Sequence, residues 1–91
     1  MNFSADQKIT LSSDVLFREV CGESVLLDLS SENYFGLNEV GTRIWELLDS
    51  DHSVGETLDV LTKEFEVERS IAESDFEELL KRLVSAGLVR V

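Results

Sequence analysis

The first third of the chain alternates short apolar runs with polar turns, a pattern that predicts an antiparallel sheet. Val15–Val20 (VLFREV) and Ser24–Leu29 (SVLLDL) are the first two predicted strands, and residues 21–23 (CGE) form the turn between them. A second polar turn at residues 30–33 leads into Tyr34–Leu37 (YFGL), the predicted third strand. Successive strands joined by such tight turns form an antiparallel meander.

From Asn38 onward the apolar positions recur every three or four residues, which predicts helices instead of strands. Asn38 can cap a first helix that has Glu39 in its first turn. Ser53 and Glu56 have the spacing of a capping box before a second helix. The apolar faces of these helices comprise Val40, Ile44, Leu47 and Leu48 in the first, with Trp45 at its edge, and Leu58, Leu61 and Phe65 in the second.

A third helix is predicted to begin at Ser70 and Glu73, which repeat the capping-box spacing, and to end before Gly87 as its C′ residue. Residues 88–91 are extended and either add a short strand or pack on the core. The predicted class is α+β: a three-stranded antiparallel sheet followed by three helices (β-β-β-α-α-α). This is a winged helix-turn-helix-like architecture with the sheet placed before the helices.

Ninety-one residues, of which 43% are hydrophobic and 30% charged, are enough for one domain with a modest core. We expect residues 1–13 to form a flexible N-terminal segment and residues 14–91 to form the single domain. A single cysteine, Cys21, excludes an intrachain disulfide and fits a reducing compartment. Because no signal-peptide pattern and no membrane-spanning apolar run is present, we expect a cytoplasmic location.

Acidic side chains outnumber basic ones by 19 to 8, which gives a formal net charge of −11. Nucleic-acid affinity depends on Lys and Arg that neutralise phosphates, and the few cations here are scattered along the chain. We therefore expect neither a nucleic acid nor an anionic membrane as a partner. The acidity favours attraction to a basic segment of another chain.

The residues that catalysis or metal binding requires are scarce. His52 is the only histidine, and the chain contains no CxxC, HxxxH or HExxH sequence and no glycine-rich phosphate loop. The serines have no adjacent base that would activate them as nucleophiles. We expect no metal, no cofactor, no catalytic residue and no enzymatic activity, and the chain is interpreted as a binding module.

A sheet edge beside a helix is the feature that predicts what is bound. If the third strand lies at the edge, its unpaired N–H and C=O groups can pair with an added peptide strand. Ordering a peptide residue costs about 1–2 kcal/mol, whereas a hydrogen bond contributes only about 0.5–1.5 kcal/mol, so apolar anchors from the third helix are also needed. The candidate peptide-binding residues are Tyr34, Phe35, Gly36, Leu37 and Asn38 on the strand, and Phe76, Leu79, Leu80, Lys81, Leu83 and Val84 on the helix. The same helix pattern also fits an ordinary core-facing stripe.

The segment GESVLLDLSSENYFGLNEVGTRIWELLD resembles the signature of the PqqD family, the pyrroloquinoline-quinone biosynthesis protein D and its relatives. The shared features are the Gly22-Glu23 turn, the Val25–Asp28 strand, the Tyr34–Asn38 strand end and the G-x-x-I-W-x-L-L helix that begins at Gly41. A second block, D-F-x-x-L-L-x-x-L-x-x-x-G-L, begins at Asp75. The likeness covers nearly the whole chain.

The resemblance implies a non-catalytic peptide chaperone, also called a precursor-peptide recognition element. Such a protein binds the leader of a ribosomally synthesised precursor peptide and delivers it to a modifying enzyme. The leader would lie as an extra strand beside the third strand, in the cleft next to the third helix. The implied partner enzymes are a radical SAM enzyme in the quinone pathway or a peptidase and cyclase in lasso-peptide pathways. The phrase YFGLN is more similar to the lasso-type and stand-alone members.

Two other function classes fit parts of the pattern. A winged-helix transcriptional regulator would read DNA with its third helix, but the first half of that helix carries Glu73, Asp75, Glu77 and Glu78 where cations are needed. A general protein–protein adaptor differs from a leader-binding module only in the length and folded state of its ligand. An edge strand can also pair with a second copy, so the expected state is a monomer or a weak homodimer.

Overall fold

The structure, a computed structural model, describes residues 3–91. Its elements in chain order are β1 (Thr10–Leu11), β2 (Val15–Val20), β3 (Glu23–Asp28), β4 (Tyr34–Leu37), α1 (Glu39–Asp49), α2 (Val54–Glu64), α3 (Arg69–Ser85) and β5 (Val89–Arg90). The predicted α+β class is confirmed, with a three-stranded antiparallel sheet ahead of three helices. The predicted third strand is β4.

The main sheet has the order β2-β3-β4, so β2 and β4 are its two edges. A two-residue turn joins β2 to β3, and both of its residues have positive φ: 55° at Cys21 and 83° at Gly22. That combination matches the right-handed twist of a hairpin. In the next turn, Asp28 accepts hydrogen bonds from the main-chain N–H and hydroxyl of Ser30 and from the hydroxyl of Ser31. These bonds lower the pKa of the Asp28 carboxyl and order the approach to β4.

Side-chain caps set the starts of the first two helices, as predicted. Asn38 Oδ1 accepts a 2.8 Å hydrogen bond from the Gly41 N–H at the start of α1. Ser53 and Glu56 form both bonds of a capping box at the start of α2. The strand-to-helix and helix-to-helix boundaries are therefore encoded locally.

The capping box predicted at Ser70 is wrong. The N-cap residue of α3 is Glu68, two positions before Ser70, and it makes no side-chain capping bond; the helix begins at Arg69. Glu73, the residue expected to complete the box, instead lies 3.6 Å from the guanidinium of Arg69, which also pairs with Asp59 of α2. The end of α3 agrees with the prediction, because Gly87 has a positive φ of 75°.

The core lies between the inner face of the main sheet and the three helices. A buried hydrogen bond of 2.8 Å between Ser24 Oγ of β3 and Thr42 Oγ1 of α1 joins these two layers. The apolar side chains that are most completely buried are Leu26, Ile44, Val54, Leu58, Leu61, Phe76, Leu80 and Leu83. No helix within residues 3–91 is long and apolar enough to cross a membrane.

Part of the N-terminal segment expected to be flexible is packed into the fold. Thr10–Leu11 pairs antiparallel with Val89–Arg90, and Ile9 is buried in the core. The main-chain carbonyls of Ala5 and Gln7 accept hydrogen bonds from the first amides of α2, which have no partner within their own helix. Residues 9–11 therefore belong to the packed fold, and the division of the chain at residue 14 stays a prediction. The first two residues of that segment lie outside the described residues.

Candidate functional site

A cleft of about 360 Å³ lies between β4 and α3, above the first half of α1. Strand β4 forms one side, α3 forms the other, and the start of α1 closes the bottom. We refer to it as the cleft; its lining residues are Gly36, Leu37, Asn38, Val40, Gly41, Ile44, Asp75, Glu78, Leu79 and Arg82.

The strand side of the cleft is a free sheet edge. The Asp28 N–H donates to the Asn33 carbonyl across the β3–β4 turn, which fixes which residues of β4 bond to β3. Because hydrogen-bonded and non-hydrogen-bonded pairs alternate in an antiparallel ladder, Phe35 and Leu37 bond to β3. Tyr34 and Gly36 therefore direct their N–H and C=O groups away from the sheet.

The side chains of β4 alternate in the same way. Leu37 is buried and Phe35 is half-buried on the inner face, whereas Tyr34 is 74% exposed on the outer face. Gly36 also faces outward, and a Cβ built there would meet no atom within 4 Å. The free edge is thus unobstructed at its centre.

The floor of the cleft is apolar, and its shape depends on a close approach between β4 and α1. A Cβ at Gly41 would lie 3.2 Å from Leu37 Cδ2, closer than side chains normally pack, so a glycine lets the first turn of α1 lie directly against the strand. Leu37, Val40, Ile44 and Leu79 form the floor. These side chains are positioned to receive apolar groups of a ligand.

The helix side of the cleft is charged. Asp75, Glu78 and Arg82 are spaced three and four residues apart along α3, and Leu79 lies beside them, so the four side chains share one side of the helix. The Arg82 Cζ lies 5.0 Å from the centroid of the Phe35 ring, a cation–π contact that links α3 to β4 at one end of the cleft. Within residues 3–91 neither Asp75 nor Glu78 is paired with a cation, so both carboxylates are available to a ligand.

The structure distributes the predicted site residues unequally. Gly36, Leu37 and Asn38 line the cleft. Phe35 contacts Arg82 at one end of the cleft, and Tyr34 lies on the outer face of the same strand.

Of the site residues predicted on α3, only Leu79 lines the cleft. Three of the predicted residues, Phe76, Leu80 and Leu83, are completely buried in the core and do not line the cleft. An amphipathic helix turns its most apolar stripe toward the core, and the flanking stripe faces the cleft.

The two remaining predicted residues on α3 are exposed but do not line the cleft. Lys81 is 3.7 Å from Glu77 on the neighbouring turn, and Val84 is 41% exposed. Sequence reasoning missed the residues Val40, Gly41, Ile44, Asp75, Glu78 and Arg82. A helical-wheel argument centred on Leu79 identifies the last three, since they lie four positions before, one before and three after it.

The other side chains that could take part in chemistry lie outside the cleft. His52 Nδ1 is 3.1 Å from the Leu47 carbonyl oxygen, and Cys21 is exposed in the hairpin turn. Burial raises the pKa of the Glu46 carboxyl above its ordinary value of 4.5, and the nearby Glu19 carboxylate adds to this effect. No group of three or more His, Cys, Asp or Glu in residues 3–91 could hold a metal ion.

Comparisons with known proteins identify relatives of this architecture. The family model described as coenzyme PQQ synthesis protein D (PqqD) matches residues 23–89. The solved structure of TbiB1 in complex with the TbiA(beta) leader peptide is similar with a TM-score of 0.83 and 34% identity, over 89% of this chain and 94% of that chain. The structure of lasso peptide synthetase B1 complexed with the leader peptide has a TM-score of 0.82 and 31% identity, over 92% and 99%. A comparison with curated proteins gave no significant match.

Proposed function

The chain belongs to the PqqD family, and from that premise we propose that it is a non-catalytic peptide chaperone that binds the leader of a ribosomally synthesised precursor peptide. The resemblance found in the sequence is confirmed by the family match. The two similar solved structures both contain a leader peptide. The observation in this chain that carries the proposal is the free edge of β4 directly beside the cleft.

Backbone pairing alone would give little affinity. Tyr34 and Gly36 offer about four main-chain hydrogen bonds to an added strand, which at about 0.5–1.5 kcal/mol each contribute roughly 2–6 kcal/mol. Ordering about four peptide residues costs roughly 4–8 kcal/mol. The difference must come from side chains of the leader that enter the cleft, and each buried aliphatic or aromatic anchor contributes about 1.5–3 kcal/mol. Two or three such anchors on the floor of Leu37, Val40, Ile44 and Leu79 are enough for useful affinity.

The charges of the cleft add selectivity for the leader sequence. Asp75 and Glu78 attract a Lys or Arg of the leader, and the guanidinium of Arg82, held against Phe35, attracts a carboxylate or a carbonyl. Glu78 and Arg82 are one helical turn apart, about 6 Å along the axis. That distance is spanned by about two residues of an extended peptide. The same acidic wall is unfavourable for duplex DNA, so a DNA-reading role has little support.

The proposed second half of the function is delivery of the bound precursor to its modifying enzyme. A lasso-type peptidase and cyclase are favoured over a radical SAM enzyme, because the phrase YFGLN and the similarity to lasso peptide synthetase B1 agree. The partner in this chain's own pathway would be the enzyme encoded beside it.

The test is a titration of the ¹⁵N-labelled chain with the leader peptide of the precursor encoded beside it. We expect chemical-shift changes concentrated in residues 34–41 and 75–82, with slow or intermediate exchange if the affinity is micromolar or tighter. A matched pair of variants sharpens the assignment: Leu79→Ala should weaken binding, whereas Lys81→Ala, two positions along α3 and outside the cleft, should not. Shifts confined to other residues, or no shifts at millimolar peptide, would refute the proposal.

A further inference from the structure

Residues 3–11, which we refer to as the strap, contact α3 at one end and the strand that follows α3 at the other. The Phe3 ring meets the Phe76 ring of α3 edge-on, with 6.0 Å between the ring centroids and an angle of 85° between the planes. Ile9 is buried in the core, and Thr10–Leu11 pairs with β5, just beyond the end of α3. The strap therefore bears on α3 at Phe76 and on the chain after its last turn. It lies outside the region that the family model matches, which begins at residue 23.

The middle of the strap is held by the first turn of α2. The Val54 and Gly55 amides donate hydrogen bonds of 2.8 and 2.9 Å to the carbonyls of Gln7 and Ala5. Since amides in the first turn of a helix have no acceptor within that helix, the strap supplies one that α2 cannot. A Cβ at Gly55 would lie 3.0 Å from the Ala5 carbonyl oxygen and 3.1 Å from the Ala5 Cβ. The lack of a side chain at Gly55 is thus what lets the strap approach this closely.

The part of α3 that the strap contacts is also a wall of the cleft. Phe76 directly follows Asp75 and lies about one turn before Leu79, and both of these residues line the cleft. Phe76 is completely buried in a close-packed core, so a displacement of its ring shifts the helix that carries the two cleft residues. Because the N-cap residue Glu68 makes no side-chain capping bond, the position of α3 depends on contacts with other elements. The strap is one of these.

Resting on the proposed leader binding, we propose that the strap positions α3 for the leader. With the strap attached, α3 stands at the distance from β4 that accepts an added strand; with the strap detached, α3 shifts and the leader binds more weakly. Phe3, Ala5 and Gln7 are positioning residues, since they act through α2 and α3 and are not among the residues that line the cleft. Thermodynamic linkage requires the reverse effect as well, so a bound leader holds the strap in place by the same factor.

The experiment uses the full chain and the leader peptide of the precursor encoded beside it. Gly55→Ala pushes the strap away from α2 by contact with Ala5, and because alanine is the better helix former, the variant does not weaken α2 itself. Phe3→Ala removes the ring that contacts Phe76, and Phe3→Tyr keeps that ring. Phe17→Ala is the matched control, because Phe17 is also half-buried against the core but lies on β2 and does not line the cleft.

Three measurements are made on each variant. Fluorescence anisotropy of a labelled leader gives its affinity, and thermal unfolding followed by circular dichroism gives the stability of the chain. Hydrogen exchange of the ¹⁵N-labelled chain, with and without saturating leader, reports on the amides of residues 54 and 55. Since their hydrogen bonds are made to the strap, their exchange rates measure how often the strap detaches.

We expect Gly55→Ala and Phe3→Ala to weaken leader binding about five- to twentyfold, within the range usual for coupled sites. Phe3→Tyr restores binding to within about twofold of wild type, and Phe17→Ala stays within about twofold although it lowers the stability of the chain. In the wild-type chain, saturating leader slows exchange at residues 54 and 55 by about the same factor that Gly55→Ala costs in affinity. A purely structural role for the strap predicts no such protection.

Wild-type leader affinity in both Gly55→Ala and Phe3→Ala would overturn the role of the strap and leave leader binding intact. Exchange at residues 54 and 55 that the leader does not change would overturn it as well. Equal losses of affinity in Phe3→Ala and Phe17→Ala would trace the effect to general stability, which also contradicts the proposal. Absence of leader binding by the wild-type chain would overturn the proposed function and this inference with it.

Discussion

Replacing Gly36 with proline should abolish strand addition and leave the fold intact. The Gly36 N–H points to the free edge of β4, so removing it breaks no hydrogen bond to β3. Proline is tolerated on edge strands for this reason, and a Cβ at this position meets nothing within 4 Å. The proline ring would occupy the place where the leader backbone must approach.

The size of the effect follows from the bonds that are lost. The variant removes one donor outright, and the displaced strand also loses its bond to the Gly36 carbonyl. Two main-chain hydrogen bonds at about 0.5–1.5 kcal/mol each amount to roughly 1–3 kcal/mol. Since about 1.4 kcal/mol corresponds to a factor of ten, the leader should bind about 5- to 150-fold more weakly.

The assay is fluorescence anisotropy of a labelled leader peptide against wild type, Gly36→Pro and Gly36→Ala. Alanine is the matched control, because it adds a methyl group on the outer face and keeps the N–H. We expect Gly36→Ala to bind within about twofold of wild type, and both variants to unfold within a few degrees of wild type. Strand addition at β4 would be refuted if Gly36→Pro, still folded, bound the leader as tightly as Gly36→Ala does.

Three further predictions concern stability, selectivity and pH. Phe76→Ala should lower the free energy of unfolding by about 3–5 kcal/mol, because a completely buried aromatic ring is lost; a cost below 1 kcal/mol in urea denaturation would contradict its place in the core. Glu78→Gln should weaken a basic leader about two- to fivefold at low salt and have no effect in 0.5 M NaCl, as expected of an exposed ion pair; a salt-independent loss in a titration series would contradict this. The pKa of Glu46 is raised in the folded state, so the folded protein binds the Glu46 proton more tightly than the unfolded chain does. The stability that this proton contributes is fully present below pH 4.5 and is lost as the pH rises through the folded-state pKa. Glu46→Gln should therefore raise the melting temperature more at pH 7 than at pH 4, and an equal change at both pH values in thermal unfolding would count against it.

Local patterns in the sequence were enough to predict most of the secondary structure. The period-two and helical spacings located the three strands and three helices, and Asn38 and Ser53 marked two helix starts, since a cap depends only on residues within one turn. The capping-box prediction for α3 failed because a residue distant in sequence, Asp59, takes part in the contacts at this helix start. Arg69 is held by Asp59 of α2 and by Glu73, which takes Glu73 away from the expected capping box. The pairing of β1 with β5 joins the two ends of the chain and has no local signal.

The candidate site also has one part that the local sequence predicts and another that depends on the tertiary structure. The sequence by itself determined that Tyr34–Asn38 is an extended, partly apolar segment before a helix cap, and that α3 carries a wide apolar face. Only the tertiary structure decided that β4 is an edge and which stripe of α3 faces it. Helical periodicity defines the stripes of a helix but not which neighbour lies against each one. The most apolar stripe, with Phe76, Leu80 and Leu83, is buried in the core, and the flanking stripe, with Glu78 and Arg82, faces the cleft.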